Sequence, residues 1–236
     1  VSPGEERLPG RTLQDPAAQP QASSEDARIR DPHGHLAALA DRAARGESVI
    51  LELGSGGRKD RPDSIAIDVR DVPGVDIVGD VFDVLAAVPS GTVTELYSSH
   101  FLEHVDGLER LLGEFARVLR PGGVVTAIVP HFANPWFWSD PTHERSFGLY
   151  TLSYLVRDAV LRRRVPHYSA ELPPLSLAAV RLAFKPRKNR WLRRAWCHVV
   201  ESLVNLGPRP QEFHEAHLCW VLPCYELHYR LVRDET

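Results

Sequence analysis

Ser48-Val49-Ile50-Leu51-Glu52-Leu53-Gly54-Ser55-Gly56-Gly57 decides the fold. An apolar run of strand length drives straight into a glycine-rich turn. Working outward, Ser64-Ile65-Ala66-Ile67-Asp68-Val69 reads as a second strand, and Val75-Asp76-Ile77-Val78-Gly79-Asp80 as a third. Thr94–Ser99 and Val124–Val129 read as a fourth and a fifth. Between those two, apolar residues at Leu108, Leu111, Leu112, Phe115 and Leu119 share one face of a helix over about 105–119, which Pro121-Gly122-Gly123 ends. On the N-terminal side, His35 to Arg45 has helical spacing and Gly46 stops it. Apolar strands that alternate with helices and end in glycine-rich or polar turns point to an α/β fold with a parallel sheet covered on both faces.

The rest of the chain is less regular. Residues 131–149 form a long loop dense in aromatic, His, Asp and Asn side chains, and long loops of this kind in compact domains are usually functional or mobile. A helix is expected over 150–164, a strand over 176–184, a helix over 190–206 and a long final strand over 217–232, with Pro223 at a bulge or an edge. Residues 1–32 hold Pro, Gln, Ser, Ala and charge but no aromatic side chain. They are expected to be a disordered or loosely attached tail before one domain over 33–236.

Composition narrows the function classes. The 236 residues are 43% hydrophobic and 25% charged, with a net charge of −3, ordinary for one globular domain and unlike a dedicated nucleic-acid binder. No nucleic-acid partner is therefore expected. No apolar run approaches the roughly 20 residues of a spanning helix, and no basic-then-apolar leader opens the sequence. Cys197, Cys219 and Cys224 make an odd number without a C-x-x-C, so they are expected to be reduced and the protein cytoplasmic.

The glycine turn suggests a ligand. Gly54, Gly56 and Gly57 let backbone N–H groups approach a bound molecule closely, and an acidic residue ending the next strand, Asp68, can accept both hydroxyls of a ribose. Asp80 with Val81 ends the third strand, in reach of an adenine edge. A tight turn beside a surface Asp is the plainer reading of the same residues. The strand–loop–strand context and the acidic end of the third strand favour a nucleoside.

Glu52-Leu53-Gly54-Ser55-Gly56, Asp68, Asp80 and Leu119-Arg120-Pro121-Gly122-Gly123 resemble the ordered motifs of class I S-adenosylmethionine (SAM) methyltransferases over residues 48–130. The resemblance implies a Rossmann-like, seven-stranded, mostly parallel sheet with a reversed last strand, and SAM as cofactor. It implies a cofactor site built from Glu52, Gly54, Ser55, Gly56, Gly57, Arg58, Asp68, Asp80, Val81, Ser98, Ser99 and His100. One departure stands out. Only about ten residues, Gly54 to Asp63, separate the first two strands, fewer than a helical crossover needs. The first crossover helix is expected to be shortened or missing, with Arg58 or Lys59 neutralising the SAM carboxylate in place of a helix N-terminus.

In such a sheet the 131–150 loop emerges at the carboxyl ends of the strands, where ligands bind, and would cover the acceptor. A hydroxyl acceptor needs a base, and His143 is the leading candidate, oriented by Asp140, with His131 and His100 behind it. Asn134, Trp136, Trp138 and Tyr150 are the candidate acceptor contacts, with Trp136-Phe137-Trp138 either a flat wall for a sugar or a plug that anchors the loop. Asp140-x-x-His143 offers two ligands to a divalent cation such as Mg²⁺, too few to define a site, and Ser139-Asp140-Pro141 is equally a turn. Asn134-Pro135-Trp136-Phe137 is similar to an amino-group methyltransferase motif, but it follows the fifth strand rather than the fourth.

His131–Pro135, Asp140–His143, Phe147–Tyr150 and Cys219–Glu226 are similar to bacterial methyltransferases of polysaccharide synthesis. The arginine-rich composition brings in the mycobacterial enzymes that 1-O-methylate a methylmannose polysaccharide. That resemblance implies a carbohydrate acceptor and O-methylation, and a dimer is compatible with it. Two other readings stay open. Arg181, Lys185, Arg187, Lys188, Arg190, Arg193 and Arg194, with Trp191, Trp196 and Arg162–Arg164, could contact RNA or anionic lipid, or form a solvated helix face. The chain could also bind SAM without catalysis.

Overall fold

The computed structural model describes residues 29–169, 171–185 and 191–235. Among the described residues nine strands form one sheet: β1 (Ile29–Arg30), β2 (Ile50–Leu53), β3 (Ile65–Asp68), β4 (Ile77–Gly79), β5 (Val93–Ser99), β6 (Leu119–Pro130), β7 (Arg157–Asp158), β8 (Leu175–Ala183) and β9 (Glu226–Arg233). Their order is β1-β4-β3-β2-β5-β6-β9-β8-β7. Within the central seven, only β9 runs antiparallel to its neighbours, pairing Val124 with Val232 on one side and Leu182 with Leu227 on the other. This is the expected Rossmann-like sheet with its reversed last strand. The short β1 and β7 extend it at the edges to nine.

The strands are short apolar runs because helices cover both faces. The helices are α1 (His35–Ala44), α2 (Val81–Ala87), α3 (Leu108–Val118), α4 (Trp191–Val204) and α5 (Pro208–Phe213). α3 buries Leu108, Leu111, Leu112, Phe115, Ala116 and Val118 and keeps Glu109, Arg110 and Glu114 outward. That side-chain set joins Leu51, Leu53, Ile67, Leu96, Val125 and Leu231 of the sheet in one core. At roughly 1.5–3 kcal/mol for each fully buried large aliphatic side chain, this core is the main stabilising contribution.

The missing first crossover helix is confirmed: residues 54–64 contain turns and no helix. Gly54, Gly56 and Gly57 all have φ between 60° and 83°, the left-handed region, which a right-handed helix cannot continue. Glu52 compensates. Its buried carboxylate accepts from Asp60 N at 2.7 Å, Arg61 N at 3.1 Å and Ser64 Oγ at 2.7 Å, so a side chain satisfies backbone donors that a helix would have paired internally.

Four expectations need correction. The domain begins earlier than 33, because Ile29 and Arg30 pair antiparallel with Gly79 and Val78; the rest of the expected tail lies outside the described residues. The helix α2 was not anticipated, and Asp80 caps it by accepting from Phe82 N at 2.8 Å. The helix expected over 150–164 is instead a 3₁₀ turn (Leu152–Tyr154), β7 and bends. The reason is Asp158, whose carboxylate accepts from Val160 N, Leu161 N and Ser153 Oγ and so offers the backbone a turn instead of a helix. The final strand starts at Glu226, not at 217. Pro208 opens α5 after Gly207, a π-helical turn follows over His214–Leu218, and Pro223 lies outside the ladder it could not have joined.

Candidate active site

Strand order reverses between β2 and β5, and the principal crevice opens at the carboxyl ends of these strands. It encloses about 810 Å³ and is lined by Gly54, Asp68, Asp80, Val81, Phe82, His100, Phe101, His104 and Thr142, among others. A smaller space of about 290 Å³ runs along Glu52, Gly54, Ser55, Arg58, Asp60 and Ser99.

One wall is the glycine loop. Gly54 N donates to Ile67 O at 2.9 Å, and a Cβ at Gly54 would stand 2.5 Å from the Phe101 ring. Asp68 accepts from Gly56 N at 2.7 Å and Arg70 N at 2.9 Å, one bond to each carboxylate oxygen, so each keeps acceptor capacity for a ribose hydroxyl. Asp80 faces the crevice while its Oδ1 caps α2. Among the described residues Ser55 Oγ, in the glycine loop, and Ser98 Oγ, near the end of β5, are buried without a hydrogen-bond partner, the condition expected where a polar ligand completes a site. Arg58 lines the smaller space and has no ion-pair partner among the described residues. Lys59 is held by Asp76 at 2.5 Å, and Arg61 by Glu95 at 3.0 Å. Of the two cations offered for a SAM carboxylate, Arg58 is therefore the one left available. Glu52 Oε2 takes two donors of the 60–64 segment and Oε1 takes one, so the carboxylate shapes the loop while Oε1 keeps acceptor capacity beside the smaller space it lines.

The opposite wall is assembled from distant segments. His100 has φ 53°, the left-handed region that a non-glycine residue seldom occupies, directly after β5. Its Nδ1 lies 3.4 Å from Glu103 Oε1 and its Nε2 2.9 Å from Glu226 Oε1. Glu103 and Glu226 together raise the imidazole to about 9, so His100 is a cation near neutrality and not a base. Burial pushes the Glu226 carboxyl up, but hydrogen bonds from His100, His228 and Lys185 outweigh it and hold the group well below the usual carboxylate range.

The 131–150 loop is tied across the 102–105 turn. Glu144 N donates to Glu103 O at 2.8 Å, and Arg145 Nη2 to Val105 O at 2.9 Å. This brings His143 beside His104, with ring centroids 4.9 Å apart. His143 Nδ1 lies 2.9 Å from the Phe137 carbonyl, which can only accept, so Nδ1 carries the proton and Nε2 presents a lone pair. Asp140 Oδ2 is 3.8 Å from that Nε2. Hydrogen bonds from Thr142 lower the Asp140 carboxyl, which stays ionised. His143 and Asp140 line a side pocket of about 430 Å³ with Phe137, Trp138, Glu144, Arg145 and Ser146.

Other expected residues lie elsewhere. His131 is fully buried; Nδ1 accepts from Ala133 N and Nε2 donates to Glu215, so neither nitrogen is left for proton transfer. Asn134 is also structural, donating to Tyr225 O and accepting from Trp136 N. Tyr150 bonds Glu212 and Arg163 N in a separate cavity with Phe132 and Glu215. The tryptophan stretch divides its work: Phe137 is the buried plug, and Trp136 and Trp138 are exposed. In the basic stretch Arg181 pairs with Glu201 and Lys185 with Glu226; 186–190 lie outside the described residues, as do the side chains of Arg193 and Arg194. His104 was missed as a site residue. The signal was its place five residues after the fourth strand, on the same turn as His100.

Residues 60–127 match the methyltransferase domain family. The methyltransferase match thus covers the sheet from the first crossover to β6. Among solved structures the chain is similar to a SAM-dependent methyltransferase from Archaeoglobus fulgidus, at 15% identity and TM-score 0.49, over 84% of this chain and 92% of that one. It is also similar to one from Mesorhizobium loti, at 15% identity and TM-score 0.44, over 78% and 90%. A Haemonchus contortus phosphoethanolamine N-methyltransferase solved with SAM is similar at 10% identity and TM-score 0.42, over 86% of this chain and 53% of that one. No curated protein matches. The segment that matches the methyltransferase domain family lies within a sheet of Rossmann-like strand order. The comparisons reach the domain and not the sugar subtype. Among the described residues no helix is long and apolar enough to cross a membrane.

Proposed function

We propose that this chain transfers a methyl group from SAM to a hydroxyl group of a carbohydrate. SAM supplies an electrophilic methyl on a sulfonium. The residues of the chain do the rest. The left-handed glycines of the 54–57 loop let the nucleoside approach closely, the Asp68 carboxylate holds it, and Arg58 faces the SAM carboxylate. Ser98 and Ser99 lie at the reacting end, at the tip of β5.

The observation that carries the acceptor reading is the imidazole lone pair of His143. His143 lines the side pocket together with exposed Trp138, and its ring is 4.9 Å from that of His104, which lines the cofactor crevice. A sugar hydroxyl is a poor nucleophile at neutral pH and needs its proton removed as the C–O bond forms. An exposed indole is a flat apolar surface on which a sugar ring can lie. Asp140, ionised 3.8 Å away, would stabilise the imidazolium that results.

The test is incubation of the chain with methyl-labelled SAM and a glycan extract. A mass increase of one methyl group on a glycan, lost in His143→Ala, is the expected result. Label entering only protein, lipid or RNA would remove the carbohydrate acceptor.

A further inference from the structure

We infer that Glu103, His104 and His143 form a binding site for one divalent transition-metal ion, of the Zn²⁺ or Co²⁺ type, at the rim of the cofactor crevice. Three observations converge. First, one ligand atom from each of the three side chains lies within 4.8 Å of the others. Bonds of about 2.0–2.2 Å to one ion require ligand atoms roughly 3 Å apart, so small side-chain rotations close the set.

Second, Glu103 is fully buried, and among the described residues neither of its carboxylate oxygens has a hydrogen-bond partner. A buried carboxylate without donors is costly unless a cation compensates it. The nearest nitrogens are His100 Nδ1 at 3.4 Å and His104 Nε2 at 3.9 Å. An ion pair with His100 flanks one oxygen and leaves the other, and it does not explain the two imidazoles.

Third, both imidazoles are already fixed in the ligating tautomer. His143 Nδ1 donates to Phe137 O at 2.9 Å. His104 Nδ1 donates to Thr142 O at 3.2 Å and to Thr142 Oγ1 at 3.0 Å, while that hydroxyl donates to Asp140 at 2.6 Å. Metal-bound histidines characteristically donate the far ring N–H to a carbonyl in this way, which leaves Nε2 for the ion. Here one loop pins both rings. Asp140 Oδ2, 3.8 Å from His143 Nε2, is placed as a fourth ligand or as the acceptor from a bound water. Two imidazoles and one carboxylate favour a first-row transition ion over Mg²⁺, which demands oxygen ligands.

The inference rests on the hydroxyl-acceptor reading and changes one role in it: with the ion bound, the ion and not the His143 lone pair activates the hydroxyl. An acceptor hydroxyl that coordinates the ion has its pKa lowered. His143 then serves as ligand, the proton leaves to solvent at the open rim, and the alkoxide oxygen forms the new bond to the methyl carbon as the carbon–sulfur bond breaks.

The experiment is calorimetric and visible-absorption titration of the full chain, stripped with chelator, with CoCl₂, ZnCl₂ and MgCl₂. One Co²⁺ or Zn²⁺ per chain is expected, with d–d bands for cobalt and at least about a tenfold preference over Mg²⁺. His104→Ala and His143→Ala should each weaken binding at least about tenfold, and His198→Ala on α4 should leave it unchanged. Glu103→Gln is made as well, but the two histidine variants decide if it does not fold. No stoichiometric ion, or one whose affinity both histidine variants leave untouched, overturns the site. Ion binding lost in His143→Ala with no glycan methylated would keep the site and remove the carbohydrate reading. Undiminished methylation by a chain that binds no ion would do the reverse.

Discussion

The two walls of the crevice are built in opposite ways. The glycine wall comes from one contiguous stretch, residues 52–68, whose Gly54 and Gly56 amides are paired within the wall, so that it presents a closely approachable backbone and one carboxylate. The histidine wall brings together the turn after β5, the 131–150 loop and the start of β9, segments spread over more than a hundred residues, and presents side chains. Backbone recognition tolerates little sequence change, because glycine is needed at the left-handed positions. Side-chain recognition tolerates any change that spares a few ring nitrogens. The first wall is therefore suited to a constant cofactor and the second to an acceptor that differs from one protein to another.

The sharpest way to break this division is to separate binding from turnover. His143→Ala should lower methyl transfer by on the order of 10²–10⁴-fold while SAM affinity stays within about twofold. If affinity fell in parallel with turnover, the two walls would not be independent. Gly54→Val should act on the other wall. Its side chain would enter the space of the Phe101 ring from a left-handed backbone, and S-adenosylhomocysteine binding should weaken by at least about 100-fold, roughly 3 kcal/mol, by calorimetry.

Asp68→Ala should cost about 10–100-fold in the same titration, since it removes the ribose acceptor and releases the Gly56 and Arg70 amides. Adenine alone should compete equally well against the variant and the parent. Arg58→Ala is expected to weaken SAM about fivefold, with Arg58→Lys recovering part of the loss, because the side chain is open to solvent screening. An unchanged affinity would mean that the carboxylate is held elsewhere.

The smallest effect concerns the strut joining β9 to the end of β5. The Glu226 carboxyl is held below its ordinary 4.5 in the fold, so its contribution is present above about pH 4.5 and is lost as pH falls toward the folded value. Glu226→Gln should lower the melting temperature by about 3–6 °C at pH 6, and the gap should shrink as the pH drops from 5 to 3. A gap that widened in acid would mean that the carboxylate destabilises the fold.

Legibility along the chain follows the same division. The strands from 48 to 129 and the helix over α3 could be read because a covered parallel sheet writes itself as apolar runs between glycine turns, and α3 as one apolar face. The missing crossover helix was legible too, as a count of residues between Leu53 and Ser64. The helix expected over 150–164 failed where Asp158 and Glu212 gave backbone amides partners that no local pattern reveals. His131 and His143 are both histidines of the same loop, and the sequence offers each as a base. Only the fold buries the first against Glu215 and leaves the second with a lone pair at the rim.

What the sequence by itself determined is the sheet, the glycine turn and the acid that ends the following strand, because these depend on short-range backbone geometry. Which histidines are exposed, which tautomer each holds, and that Glu103 is buried facing two of them were decided by the tertiary structure alone. Those properties depend on contacts between residues about forty positions apart, such as Glu103 with Glu144 and His104 with Thr142. A linear pattern has no means of recording them.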